Sequence, residues 1–136
     1  SNTYNQLTNN SKGIYKAKGS KFIAYAIIVK SEEQVVEEIK ANKMPIGKYH
    51  IDQPFVTHKV TLKAGDTIYI FSDGFSDQFG GVKGKKLKSA NFKKLLISMH
   101  NENLSTQKNL LEDAFTQWQG DLEQVDDVLV IGFRFS

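Results

Sequence analysis

The sequence predicts an α+β domain: a mostly antiparallel sheet of about five strands with three helices packed on it. Three observations carry this expectation. Short runs rich in β-branched and aromatic residues, such as Thr67-Ile-Tyr-Ile-Phe-Ser72 and Val128-Leu-Val-Ile-Gly-Phe-Arg-Phe135, have strand character. Other stretches repeat apolar residues three and four apart, as in Phe92, Leu95, Leu96 and Met99. There is no internal repeat, and 136 residues are enough for one buried core.

Taken in order, residues 1–10 read as a flexible polar tail. Gly13 to Lys18 and Lys21 to Val29 read as two strands joined by a hairpin turn at Gly19-Ser20. Ser31 reads as the cap of a helix, with Gln34 at the capping-box position and Val35, Val36 and Ile39 as its apolar face. Asn42 to Pro54 has no periodic pattern. Phe55 to Leu62 alternates as a half-buried strand, and Ala64-Gly65-Asp66 leads tightly into the strand Thr67 to Ser72. A glycine-rich loop from Gly74 to Gly84 follows. Ser89 and Ser105 are read as caps of two helices, the second carrying Leu110, Leu111, Ala114, Phe115 and Trp118 as its stripe. Gly120-Asp121 ends that helix before the closing strand from Val128 to Phe135.

Composition narrows the classes. Hydrophobic residues at 40% and charged residues at 24% suit a globular chain. No apolar run approaches the roughly 18–20 residues of a membrane span. The polar N-terminus and the absence of cysteine lead us to expect no signal peptide and a cytoplasmic location. The net charge of +3 is concentrated in Lys83, Lys85, Lys86, Lys88, Lys93 and Lys94. Such a cluster is either a solvated face or an attractor of phosphorylated protein or nucleic acid. Nucleic acid is not expected, because no RNA-binding or zinc-finger motif accompanies it. His50, His58 and His100 lack ligand spacing, and Gly80-Gly-Val-Lys-Gly84 lacks the ending of a phosphate loop.

The chemistry-bearing residues are carboxylates at strand ends. Asp73 leaves one apolar run, and Asp126 and Asp127 enter the other. If those strands are antiparallel neighbours, Asp73 and Asp126 meet at one rim, as an oxygen-only site for Mn2+ or Mg2+ requires. Each also fits a plain alternative: Asp73-Gly74 as a turn leaving a strand, and Asp126-Asp127 as a solvated turn.

Several motifs appear in order: Lys43-Met-Pro-Ile-Gly47, Leu62-x-x-Gly65-Asp66, Ile70-Phe-Ser-Asp-Gly-Phe-Ser-Asp-Gln-Phe-Gly-Gly81, and Trp118-x-Gly120 before Gln124-Val-Asp-Asp127. Over residues 38–136 they resemble the C-terminal half of stage II sporulation protein E type phosphatases, in the metal-dependent serine/threonine (PPM) phosphatase superfamily. The resemblance implies half of that superfamily's sandwich, with Asp73 and Asp126 as metal ligands and Gly74 and Asp127 as supporting positions. It also implies Mn2+ or Mg2+ as cofactor, and a phosphoprotein substrate in bacterial signalling of the partner-switching or two-component kind. Residues 11–40, with Gly13-Ile-Tyr-Lys-Ala-Lys-Gly-Ser-Lys-Phe-Ile-Ala-Tyr-Ala26, resemble the opening of the YigZ/IMPACT family instead. The organisation read from this is a tail (1–10), a YigZ/IMPACT-like β-β-α segment (11–42) and a phosphatase part (43–136), as in a fusion or chimera.

The further acidic ligands of the resembled family have no counterpart before Lys43, so the chain is expected to be inactive by itself. The alternatives are a non-catalytic binding or assembly module and an IMPACT-like translation regulator. The strands are apolar on nearly every position and call for cover on both faces, which leads us to expect a homodimer.

Overall fold

The computed structural model describes residues 11–16, 21–31, 36–45 and 59–136, with side chains at Ile14, 25–31 and 59–136. Its strands are β1 (Ser11–Lys16), β2 (Lys21–Val29), β3 (Val36–Pro45), β4 (Thr67–Ser72), β5 (Phe79–Gly80), β6 (Lys85–Lys86) and β7 (Val128–Arg134). Its helices are α1 (Gly74–Asp77), α2 (Ser89–Met99) and α3 (Leu104–Gln119). Five strands form one antiparallel sheet in the order β1-β7-β4-β2-β3, and β5 and β6 make a separate two-residue ladder. The α+β class with a mostly antiparallel five-stranded sheet is thus what the chain adopts.

The most apolar strands take the middle of the sheet. β4 pairs with β7 on one side, Phe71 opposite Val130, and with β2 on the other, Tyr69 opposite Ile27. Alternate residues Tyr69 and Phe71 of β4, Val128 and Val130 of β7, and Ile27 and Val29 of β2 belong to one buried cluster with Phe92 and Leu96 of α2 and Leu111 and Phe115 of α3. Phe92 meets Phe71 edge-on at 5.0 Å between ring centroids. Burial of these side chains is the main stabilising contribution, at about 1.5–3 kcal/mol each.

Polar groups fix the ends of the helices. Asn103 caps α3, its side chain accepting from the Thr106 amide at 2.8 Å. Tyr69 donates its hydroxyl to Gln107 Oε1 at 2.5 Å, and burial pushes that phenol up to about 12. Gln107 in turn donates to the carbonyls of His100 and Glu102, and Arg134 Nη2 donates to the same two carbonyls. These bonds satisfy carbonyls at the α2 to α3 connection that no helix partner reaches.

Several expectations are corrected. No helix runs through residues 36–45, which form edge strand β3 with Ile39 opposite Ala26 and Val36 opposite Val29. The pairing offered by β2 outweighs a local helical spacing of apolar residues. Residues 59–63 have no regular structure, so the strand expected at 55–62 is absent there, and β3 holds the fifth place in the sheet. β1 and β2 are not a hairpin, since β7 and β4 lie between them. Among the described residues, α2 and α3 are two of the expected helices, α1 is gained, and the helix expected from Ser31 does not occupy residues 36–39. Ser105 lies inside α3 rather than capping it, and Lys88, not Ser89, occupies the cap position of α2. Leu110, expected in the buried stripe, is exposed. The Gly19-Ser20 turn, His50 and His58 lie outside the described residues.

Candidate metal centre

The antiparallel register between β4 and β7 brings the exit of one strand to the entrance of the other. Ser72, the last residue of β4, fastens this seam: its Oγ donates to the Asp127 carbonyl at 2.7 Å and accepts from the Leu129 amide at 3.0 Å. Gly74 follows, and a Cβ there would sit 2.1 Å from the Asp127 carbonyl oxygen. Only glycine lets the chain turn this close to β7.

α1 then completes one helical turn. The Asp77 amide donates to the Asp73 carbonyl at 2.8 Å, so the two side chains share one face. Phe75, between them in sequence, points the other way. It is buried among Phe92 and Phe115, with ring centroids 4.8 and 5.1 Å away. The core therefore sets the orientation of the turn.

As a result a carboxylate oxygen from each of Asp73, Asp77 and Asp126 lies within 4.8 Å of the others, all three residues half-buried. The Asp127 amide donates to Asp126 Oδ1 at 2.8 Å, holding that side chain at the seam. Burial pushes the Asp73 carboxyl above the usual carboxylate range, and the charges of Asp77 and Asp126 push it further. Lys86 Nζ approaches Asp77 at 3.7 Å from the solvent side.

A second lock lies behind the cluster. Trp118 Nε1 donates to the Gln78 carbonyl at 2.7 Å, and the Gly81 amide donates to the Trp118 carbonyl at 3.1 Å. A Cβ at Gly80 would sit 1.9 Å from that same carbonyl oxygen. The Gln78 side chain donates to the Glu123 carbonyl at 2.8 Å, tying the exit of α1 to the segment that leads to Asp126. The Phe79-Gly80-Gly81 and Trp118-x-Gly120 motifs are thus two sides of one contact.

Of the residues expected to form the site, Asp73 and Asp126 converge, while Gly74 and the buried Asp127 form the seam beneath them. Asp77 was not expected. Its signal was present, since Asp73 and Asp77 stand four apart, but the segment reads as a glycine-rich loop and the one-turn helix is not apparent. Three oxygen donors that repel one another without a cation fit a hard divalent ion. Beside them opens a cavity of about 470 Å3, lined by Asp73 and Asp77 together with three lysines and two aromatic rings.

Residues 24–136 match the sequence model of the stage II sporulation protein E (SpoIIE) family. The chain belongs to that family. The match begins well before residue 38 and takes in most of the segment read as YigZ/IMPACT-like. Among solved structures, the SiaA-PP2C domain of Pseudomonas aeruginosa is similar, with 31% identity and a TM-score of 0.68. The match covers 91% of this chain and 47% of that one. The PP2C phosphatase domain and regulatory fragment of SpoIIE from Bacillus subtilis shares the fold at 19% identity and a TM-score of 0.59, over 93% of this chain and 35% of that one. The chain thus spans less than half the length of these phosphatase structures. No curated protein sequence matches it. Among the described residues no helix is long and apolar enough to cross a membrane.

Proposed function

We propose that this chain supplies the carboxylate cluster of a metal-dependent phosphatase acting on phosphoserine or phosphothreonine in proteins. Asp73 and Asp126 are its ligands for Mn2+ or Mg2+, Asp77 is a third, and Gly74 and Asp127 support them. The observation that carries this reading is the convergence of three carboxylates from two strand ends and a one-turn helix, in a chain of the SpoIIE family. A divalent ion held there supplies positive charge to phosphate oxygens and lowers the pKa of bound water. The chain's own part is rigid placement: Ser72 and Gly74 fix the seam, Phe75 fixes the turn, and Asp127 holds Asp126.

Three carboxylates fill about half of the six or more oxygen positions such an ion takes, so affinity is expected at about the millimolar level or weaker. Turnover by these residues alone is expected to be negligible, because activated water and in-line geometry must be present together. Calorimetric titration with Mn2+ tests the ligand assignment. Weak binding should be lost in both Asp73→Asn and Asp126→Asn, and unchanged binding in either variant contradicts it. Strong Mn2+-dependent phosphate release from a phosphoprotein, abolished by Asp73→Asn, would overturn the expectation of negligible turnover.

A homodimer is also part of this proposal. Ile70 is 41% exposed, and Ile68, Ile131 and Phe133 share its side of the sheet and are only partly covered. Light scattering should give about twice the chain mass of 15.3 kDa; a monomer at high concentration contradicts it.

A further inference from the structure

We infer that Lys86, Lys88 and Lys93 form a substrate-selecting rim that favours phosphoprotein segments carrying acidic residues beside the phosphorylated side chain. The inference rests on the phosphatase reading above and adds the substrate class.

The lysine-rich run of the sequence is divided by the fold. Lys86, Lys88 and Lys93 line the cavity that contains Asp73 and Asp77, whereas Lys83, Lys85 and Lys94 do not. Three cations thus share one cavity with two carboxylates of the cluster. A phosphate group bound at a metal on those carboxylates would have its neutralising charge there. Carboxylates on neighbouring residues of the substrate would be repelled by Asp73 and Asp77 and must be met by other cations lining the cavity. The lysines are where such groups would arrive. A continuous polyanion such as nucleic acid suits the site less, because its phosphates would also face Asp73 and Asp77.

The backbone at Lys88 supports a fixed role. Lys88 has φ 76° and ψ 152° and is the one non-glycine residue with positive φ among the described residues. That region is almost restricted to glycine, so a lysine there is strained. The strain is held by two bonds: the Lys88 amide donates to the Ser76 carbonyl at 2.8 Å, and its carbonyl accepts from the Phe92 amide at 3.1 Å. Lys86 is held loosely by comparison. It lies 5.7 Å from the Phe79 ring centroid and 3.7 Å from Asp77, with half its side chain exposed. Such an exposed pair is weak, so its ammonium can turn to a substrate carboxylate.

The test uses the full chain with Mg2+ and two fluorescent phosphoserine peptides, one flanked by glutamates and one by neutral residues, read by anisotropy. Lys86→Gln/Lys88→Gln/Lys93→Gln is compared with the charge-matched Lys83→Gln/Lys85→Gln/Lys94→Gln. The rim variant should bind the acidic peptide about tenfold more weakly, as loss of up to three exposed pairs allows, and the neutral peptide within about threefold of the parent. The charge-matched variant should stay within about threefold on both peptides. Lys88→Gly, which relieves the backbone strain, should keep the fold and still lose part of the preference. Equal weakening by the two triple variants, or equal weakening for the two peptides, overturns the rim. So does a matching loss for an anionic single-stranded oligonucleotide. Mn2+ calorimetry separates the two proposals: the rim variant, which loses cations beside Asp77, should bind Mn2+ at least as tightly as the parent, and failure of the phosphatase reading would appear instead as intact Mn2+ binding in Asp73→Asn.

Discussion

Asp66 and Asp73 stand at opposite ends of the same strand; burial acts on both, but the groups facing them are opposite in charge. Asp66, before β4, is 1% exposed. It accepts from the backbone amides of Ser31 at 3.0 Å and Lys63 at 2.8 Å, and from Lys30 Nζ at 3.2 Å. Burial alone would raise its pKa, but these donors outweigh burial and bring it to about 2. Asp73, after β4, faces two further carboxylates, and burial and their charges raise its pKa. One end of the strand is electrostatically satisfied and holds the fold together. The other is left short of positive charge, which is what distinguishes a candidate cation site from a structural ion pair.

The largest effect should come from removing the satisfied end. Asp66→Ala removes the acceptor of the Ser31 and Lys63 amides and the ion-pair partner of Lys30, which keeps only the Thr61 carbonyl, and should cost about 3 kcal/mol in denaturant unfolding. Gly74→Ala places a methyl against the Asp127 carbonyl and should cost about 2 kcal/mol, with Mn2+ binding weakened as the seam opens. Asp73→Asn should act in the opposite direction, leaving the metal-free protein unchanged or stabilised by up to ~1 kcal/mol while removing stabilisation by Mn2+. A result in which Asp73→Asn destabilises as much as Asp66→Ala would erase the contrast.

The pH dependence of the two ends should also differ in sign. Asp66 binds fewer protons folded than unfolded between its ordinary 3.8 and about 2. Its contribution is therefore complete above 3.8 and lost as pH falls through that window. Asp73 binds more protons folded than unfolded from 3.8 upward to its raised value, so metal-free stability falls as pH rises through that window. Comparison of urea midpoints across acidic pH for the parent and Asp73→Asn isolates the second effect, the smallest of the set.

How much was legible in the sequence follows the same division. β4, β7, α2 and α3 were readable because their apolar spacing and their burial agree. The meeting of Asp73 and Asp126 followed from two apolar strands being central and antiparallel. Residues 36–45 were misread because an edge strand takes its stability from a partner, and the spacing of Val35, Val36 and Ile39 imitates a helix face. The β1 to β2 hairpin failed for a related reason: adjacency in sequence says nothing about which strands β4 and β7 will separate. Asp77 was missed because α1 is a single turn fixed by Phe75 in the core, and one turn leaves no periodic trace. Lys88 gave no local sign of its strained backbone, which depends on Ser76 and Phe92.

Asp73 is a carboxylate short of positive charge, which a bound cation would supply. Carboxyl carbon NMR of the 13C-labelled chain, titrated with acid in the absence and presence of Mg2+, reads this directly. Asp73 should titrate above its ordinary 3.8 without Mg2+ and shift to lower pH when Mg2+ is added, while Asp66 stays near 2 in both. An Asp73 resonance that titrates at or below 3.8 and ignores Mg2+ would contradict the account.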